Sequence, residues 1–151
     1  MSVGEICNRE VIVIDQNSTI REAAELMRKH HVGTLVVVED LAAGSNAKPV
    51  GILSDRDIVI EIFAEAVDFN TVLIRDVMSF ELVTAREMDG IWDTMQRMKT
   101  NGIRRMPVVS DAGGLTGILA VDDLLEMLVD ELTDLTKLIK QEQRHEEKRR
   151  T

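Results

Sequence analysis

Apolar and polar positions follow two periodicities in the first half of the chain. Helical spacing of apolar side chains predicts a helix over Ile20–Met27, begun by a capping box at Thr19. The β-branched run Thr34–Val38 predicts a buried strand, and Val50–Leu53 predicts a second short strand after a polar loop. A second helix is predicted from Ser54 to Ala66, where apolar residues recur every four positions.

The second half of the chain repeats this order at a nearly constant offset. Ile20 corresponds to Ile91 at an offset of 71 residues, whereas Gly51 corresponds to Gly117 at an offset of 66. The first copy therefore has five extra loop residues, where the second has a glycine-rich hairpin turn at Asp111–Gly114. Each copy is predicted to run strand, helix, strand, strand, helix, and such duplicated units tend to pack about a pseudo-twofold axis.

The last predicted helix is longer than its counterpart and is apolar beyond what one small unit can bury. A core-facing stripe accounts for the helix as far as Leu132, but Leu135, Leu138 and Ile139 require another partner. We expect a homodimer contact there. The stretch 141–151 has charges of both signs and no apolar residue, which predicts a solvated, frayed end. The residues with a/d spacing along this helix are Val121, Leu125, Leu128, Leu132, Leu135 and Ile139.

Composition and charge narrow the classes of protein. A chain of 151 residues is long enough for one ordinary domain core, or for two half-size units that share a single core. The net charge of −9 argues against binding of nucleic acid, and no apolar run approaches the ~20 residues that span a bilayer. The first residues do not resemble a secretory signal, so we expect a cytoplasmic protein without membrane contact. Cys7 is the single cysteine, which excludes an intrachain disulfide.

Two short motifs have simpler explanations than binding sites. His30 and His31 could suggest a metal, but neighbours at a helix end seldom point together, so we interpret them as a C-terminal cation pair. The glycines before Gly117 lack the lysine of a phosphate loop and fit a hairpin turn. No metal site is predicted.

Three segments together resemble the tandem cystathionine-β-synthase-type domain, or CBS-domain pair, over about residues 6–132. These segments are Gly51–Asp57, Val77–Ser79 and Ile103–Val109. The resemblance implies an α/β (α+β) fold of two pseudo-twofold-related β-α-β-β-α repeats packed sheet to sheet, with an extended C-terminal helix. The predicted units are repeat 1 with a linker at 1–75, repeat 2 at 76–133, and a helical extension with a charged tail at 134–151.

The resemblance also implies that adenosine-containing ligands bind in clefts between the repeats. The Ser/Thr and Asp of one repeat would hold the ribose, and the other repeat would supply contacts to base and phosphate. Taken alone, Ser54 and Asp57 also fit a capping box. Because side chains alternate along a strand, we expect at most one of the two arginines to face the cleft squarely. The residues implied for this first cleft, cleft one, are Ser54, Asp57, Leu82, Val83, Arg104 and Arg105.

The second cleft follows from exchanging the repeats and is expected to bind more weakly. It retains the acid at Asp123, but it lacks the hydroxyl and both arginines. We therefore expect one phosphate-competent cleft per chain. The residues implied for this second cleft, cleft two, are Val11, Ile12, Thr34, Ala120 and Asp123, beside Gly33.

The resemblance implies a non-catalytic sensor that binds an adenine nucleotide and passes on a conformational change. AMP, ADP or ATP is the expected ligand class, with NAD(H) or S-adenosylmethionine as further options. The alternative is a ligand-independent, homodimeric interaction module in which the long last helix is the working part. No nucleophile with a base at a recognisable spacing occurs, so neither an enzyme nor a catalytic cofactor is predicted.

Overall fold

The computed structural model describes residues 1–78 and 82–150, and both repeats have the predicted order of elements. Repeat 1 comprises β1 (Val13–Asp15), α2 (Ile20–His30), β2 (Thr34–Val38), β3 (Pro49–Ser54) and α3 (Asp55–Asp57), after a short α1 (Val3–Ile6). Repeat 2 comprises β4 (Ala85–Arg86), α4 (Ile91–Asn101), β5 (Arg105–Val109), β6 (Leu115–Ala120) and α5 (Val121–Arg150). Shorter 3-10 helices cover Leu41–Asn46 and Ile74–Asp76.

Each repeat forms its own three-stranded sheet, in the orders β1-β2-β3 and β4-β5-β6. The first pair of strands is parallel and the second is antiparallel in both sheets. The register is equivalent too, since Thr34 pairs with Ser54 in one sheet and Arg105 pairs with Ala120 in the other. The duplication in the sequence is therefore a duplication in the structure.

Side-chain alternation along the central strands separates two kinds of buried surface. Leu35 and Val37 of β2 contribute to the core between the sheet and its helices. Val36 and Val38 are equally buried but lie on the opposite face, where the two sheets pack. Helix α2 begins at the predicted capping box, in which Thr19 Oγ1 accepts the N–H of Glu22 at 3.2 Å.

The segment that precedes repeat 1 packs on repeat 2. Val3 is fully buried in the core of repeat 2, and its N–H donates to the carbonyl of Asp89 at 2.9 Å. Asn8 exchanges two main-chain hydrogen bonds with Ile118 of β6, both at 2.9 Å. The N-terminal segment therefore packs on repeat 2, although the strands that follow it in the sequence form repeat 1.

The segment that precedes repeat 2 packs on repeat 1 in the same way. Ile74, which corresponds to Val3 at the offset of 71, is fully buried in the core of repeat 1. Its N–H donates to the carbonyl of Ser18 at 2.9 Å, and Val72 accepts the N–H of Ile20 at 3.1 Å. Each repeat thus completes its core with a residue from the segment that introduces the other repeat.

Charged contacts hold the exchanged N-terminal segment on repeat 2. The Arg9 guanidinium forms an ion pair with Glu87 and also donates to the carbonyls of Gly4 at 2.9 Å and Thr116 at 3.2 Å. The hydrogen bond from Arg9 lowers the pKa of the Glu87 carboxyl and raises the pKa of the guanidinium itself. Both groups are therefore charged across the physiological range.

The five extra residues of repeat 1 reach across to repeat 2. They form part of the 3-10 helix Leu41–Asn46, after which the carbonyl of Ala47 accepts the N–H of Leu115 at 2.8 Å. Asp15 anchors the start of this segment, because its carboxylate accepts the N–H groups of Asn17 at 2.9 Å and of Leu41 at 3.0 Å. These two hydrogen bonds lower the pKa of Asp15.

Two elements differ from the sequence prediction. The helix predicted over 54–66 is α-helical only over Asp55–Asp57 and continues as a π-helix over Ile58–Phe63, which the periodicity of a few apolar residues does not distinguish from an α-helix. Within the predicted frayed stretch, residues 141–150 are helical, because α5 continues through Arg150. Glu, Gln, Lys and Arg are all strong helix formers, and Glu146 pairs with Arg150 one turn away at 2.5 Å.

Helix α5 also continues without a break through the unit boundary predicted at residue 134. None of the described helices combines the length and the apolar character that crossing a bilayer requires.

The exchange of segments predicts an effect on stability at Val3. Val3→Ala should lower the free energy of unfolding by about 2 kcal/mol, because it removes two buried methyl groups and leaves a cavity in repeat 2. Urea unfolding followed by circular dichroism measures this, with Val59→Ala as the control, since Val59 is 57% exposed. Equal, small losses for the two variants would contradict the packing of this segment.

Candidate functional site

The six residues implied for cleft one line one cavity of about 250 Å³ between the repeats. Ser54 and Asp57 come from the end of β3 and from α3 of repeat 1, and the other four come from repeat 2. Thr34, which was predicted for cleft two only, completes the lining together with Ile52 and Ile103, which were not predicted. A signal for Ile52 was present, because it lies two residues before Ser54 on the same strand; Thr34 lies beside Ser54 through the pairing of β2 with β3.

Ser54 and Asp57 form the capping box and face the cavity at the same time. Ser54 Oγ accepts the N–H of Asp57 at 3.1 Å, and Asp57 Oδ2 accepts the N–H of Ser54 at 2.9 Å. The hydroxyl proton of Ser54 and the second carboxylate oxygen of Asp57 are not used by this box. The two interpretations of the motif are therefore compatible, since capping orients the groups that face the cavity.

Leu82 and Val83 lie just before β4 rather than within it. In repeat 1 the equivalent carbonyl, that of Ile12, accepts the N–H of Val36 at 3.1 Å. The residue that corresponds to Val36 is Pro107, which has no N–H to donate. The main-chain carbonyl of Val83 is therefore without this ladder hydrogen bond, beside the cavity.

Both arginines line cleft one, which differs from the expectation that at most one would face it. Strand alternation does not apply to the pair, because Arg104 precedes β5 and Arg105 is its first residue. Both side chains are exposed, and within residues 1–78 and 82–150 neither guanidinium contacts a carboxylate. Two cationic groups thus remain available at the mouth of the cavity.

The five residues implied for cleft two line a separate cavity of about 260 Å³. The prediction that this cleft lacks both arginines is wrong, because Arg105 lines it as well as cleft one. The reason lies in the register, since Arg105 pairs directly with Ala120 across β5 and β6. Thr34, the counterpart of Arg105 in repeat 1, also lines both cavities.

The two clefts differ in charge. Cleft one has the guanidinium groups of Arg104 and Arg105 with the single carboxylate of Asp57. Cleft two is lined by one arginine and three acidic residues, since Glu10 and Asp122 line it beside Asp123. Asp122 was overlooked, although the alignment of the repeats sets it opposite Arg56 and so shows a reversal of charge.

Cleft two retains only half of the capping box. Asp123 Oδ2 accepts the N–H of Ala120 at 2.8 Å, as Asp57 does for Ser54, but Ala120 has no hydroxyl to return the hydrogen bond. The acid at position 123 therefore has a structural role at the start of α5 that does not depend on a ligand.

Comparison with protein families identifies the repeats. The CBS domain family matches residues 3–64 and again residues 74–130. The chain belongs to the CBS domain family. It is a tandem CBS pair, and both matches begin at the exchanged segments, before the first strand of each repeat.

Two known proteins resemble the CBS pair along most of its length. It is 38% identical to the CBS domain-containing protein YhcV of Bacillus subtilis over 123 residues, which is 82% of either protein. It is 35% identical to an uncharacterized protein of Methanopyrus kandleri over 127 residues, which is 84% of this chain but only 62% of that relative.

A solved structure extends the comparison to a complex with ligands. The crystal structure of a CBS domain pair in complex with 5′-methylthioadenosine and S-adenosyl-L-methionine is 27% identical, with a TM-score of 0.69. The superposition covers 87% of this chain and 98% of that one.

The incomplete capping box in repeat 2 predicts opposite effects of two substitutions. Ser54→Ala should lower the free energy of unfolding by about 1 kcal/mol, and Ala120→Ser should raise it by a similar amount by completing the box with Asp123. Room exists for the added hydroxyl, because Ala120 borders a cavity. Urea unfolding compares the variants, and destabilisation by Ala120→Ser would contradict the equivalence of the two helix starts.

Proposed function

We propose that this CBS pair is a non-catalytic regulatory module that binds an adenosine-containing nucleotide in cleft one. The observation that carries the proposal is the lining of one cavity by Ser54 and Asp57 from one repeat and by two guanidinium groups from the other. A hydroxyl with a carboxylate suits a ribose, and guanidinium groups suit a phosphate. A ligand that uses all of these groups must contact both repeats.

The ribose would bind at the capping box. The second oxygen of Asp57 can accept hydrogen bonds from the 2′- and 3′-hydroxyl groups, and the hydroxyl of Ser54 can donate a further one. Because both side chains are already held by main-chain hydrogen bonds at 2.9 and 3.1 Å, little side-chain freedom is lost on binding.

The base would lie against Leu82 and Val83. Their side chains are partly exposed and can contact an aromatic face, while the carbonyl of Val83, which lacks a donor at Pro107, can accept the exocyclic amino group of adenine. The phosphate would then contact Arg104 and Arg105. Charge-assisted hydrogen bonds of this kind contribute about 1.5–3 kcal/mol each.

Regulation would follow from the position of the ligand between the repeats. A ligand shifts a conformational equilibrium only when it binds one arrangement more tightly than another. A nucleotide held by both repeats favours the arrangement in which their contact groups are correctly spaced, and this arrangement can be transmitted along α5. AMP, ADP and ATP fit the two arginines best, with NAD(H) and S-adenosylmethionine as further ligands of the same class.

Binding and its dependence on Asp57 test the proposal. Isothermal titration with AMP, ADP, ATP, NADH and S-adenosylmethionine should detect at least one ligand, and Asp57→Asn should weaken its binding at least about tenfold through loss of a charge-assisted contact. Asparagine can still accept the N–H of Ser54, so the helix start is retained. Asp55→Asn is the matched control, because Asp55 does not line cleft one. Absence of binding by all five compounds at millimolar concentration would refute the proposal.

A second function, homodimerisation through α5, is favoured by a separate observation. From Leu125 onward the helix carries exposed apolar residues, whereas Leu124, Met127 and Leu128 pack on the core of repeat 2. The expectation that a core-facing stripe accounts for the helix as far as Leu132 is therefore wrong. Leu132 and Leu138 are both 63% exposed, which is a large apolar area for a free helix. The exposed residues of this α5 seam are Leu125, Val129, Leu132, Leu135, Leu138 and Ile139.

A charged substitution in the α5 seam tests the dimer. Leu135→Glu should convert a dimer to a monomer at micromolar concentration, because it buries a carboxylate at the centre of the contact. Sedimentation velocity measures the mass. Thr133→Glu is the matched control, since it adds the same charge outside the seam and should leave the dimer intact. A wild-type protein that is monomeric, or a Leu135→Glu variant that remains dimeric, would contradict this interface. Dimerisation without binding of any adenosine ligand would favour an interaction module.

A further inference from the structure

One charged residue, Arg105, lines both clefts. It lines the cavity of about 250 Å³ that contains Ser54 and also the cavity of about 260 Å³ that contains Ala120. Thr34 is the only other residue that lines both cavities among those that the structure describes, and it is uncharged. The two clefts therefore have a single shared guanidinium between them.

The main chain of Arg105 lies beside cleft two, and its side chain is exposed. The residue pairs with Ala120 in the sheet, and it is followed directly by Met106, which is fully buried in the core of repeat 2. The position of the main chain is thus set by the core, while the exposed side chain, without a carboxylate partner in the described part of the chain, can be directed to a ligand on either side.

We propose that the two clefts compete for Arg105, so that a phosphorylated adenosine ligand in cleft one weakens the binding of a second one in cleft two. This inference rests on the proposed function of cleft one. One guanidinium cannot give its full charge to two phosphates, and two phosphates within reach of the same side chain also repel each other. The coupling is reciprocal, as linkage requires.

The charges decide which cleft is occupied first. Cleft one adds Arg104 to the shared group, whereas cleft two adds the carboxylates of Glu10, Asp122 and Asp123. A phosphate therefore enters cleft one first and directs Arg105 there, which leaves cleft two with carboxylates alone. Adenosine has no phosphate to pair with Arg105, so its binding in cleft two is independent of cleft one.

Site-resolved titrations separate the two clefts. The amide N–H of Ser54 donates to Asp57 in cleft one, and that of Ala120 donates to Asp123 in cleft two, so the NMR signals of these two amides report on each site. AMP and adenosine are the probes. In the wild-type protein, AMP should shift the Ser54 signal at much lower concentration than the Ala120 signal.

Variants at three positions test the competition. Asp57→Asn, which weakens cleft one, should lower the AMP midpoint at Ala120 by up to the same factor, about tenfold, because Arg105 is then more often free for cleft two. The same substitution should leave the adenosine midpoint at Ala120 within about twofold of the wild-type value, since neutral adenosine does not compete for a guanidinium. In an Arg105→Ala background, Asp57→Asn should no longer change the AMP midpoint at Ala120. Arg104→Ala is the matched control, because Arg104 lines cleft one alone; there the effect of Asp57→Asn should persist.

The outcomes distinguish this inference from the proposed function. Saturation at Ser54 with an AMP midpoint at Ala120 that does not respond to Asp57→Asn would overturn the competition and leave the proposed function intact. Persistence of the coupling in Arg105→Ala would overturn the role of Arg105. Absence of saturation at both amides, with AMP and with adenosine, would overturn the competition, and the proposed function would fall as well only if ADP, ATP, NADH and S-adenosylmethionine also failed to bind.

Discussion

Two short segments, one from each repeat, each complete the core of the other repeat. Val3 completes the core of repeat 2 and Ile74 completes that of repeat 1, and both side chains are fully buried. Neither repeat can therefore keep its core intact when the other is removed. Because small domains bury only a limited fraction of their surface, this mutual dependence lets two units of about 60 residues form one stable body. Both clefts lie between the repeats that this exchange joins.

The candidate ligand site uses groups that the fold already holds in place. Ser54 and Asp57 satisfy N–H groups at the start of α3, and the same two side chains border cleft one. A side chain that is fixed by a structural hydrogen bond is well suited to binding, since it does not have to be ordered by the ligand. In repeat 2 the structural role is retained without the full set of ligand-binding groups. Asp123 keeps its structural hydrogen bond to Ala120 although the hydroxyl partner is absent.

Much of the fold follows from local patterns in the sequence. The capping box at Thr19, the β-branched strand Thr34–Val38 and the offset between the repeats each rest on a short-range physical preference, and the structure has all three. The π-helical turn at Ile58–Phe63 was not predicted, because the same apolar residues are compatible with either kind of helix. Dependence on three-dimensional register explains the wrong prediction that cleft two lacks both arginines. That Arg105 lines both clefts follows from its pairing with Ala120, and a linear alignment of the repeats contains no such information.

Proline at position 107 makes the main-chain hydrogen bonding beside the two clefts unequal. The main chain at Ile12 is joined to β2 by a hydrogen bond from Val36, whereas the equivalent main chain at Val83 has no such bond to β5. Fewer main-chain hydrogen bonds mean a lower free-energy cost of local opening. The main chain at Val83, beside cleft one, therefore opens at a lower free-energy cost than the main chain at Ile12, beside cleft two. The cleft with more positive charge is thus also the one whose border moves more easily.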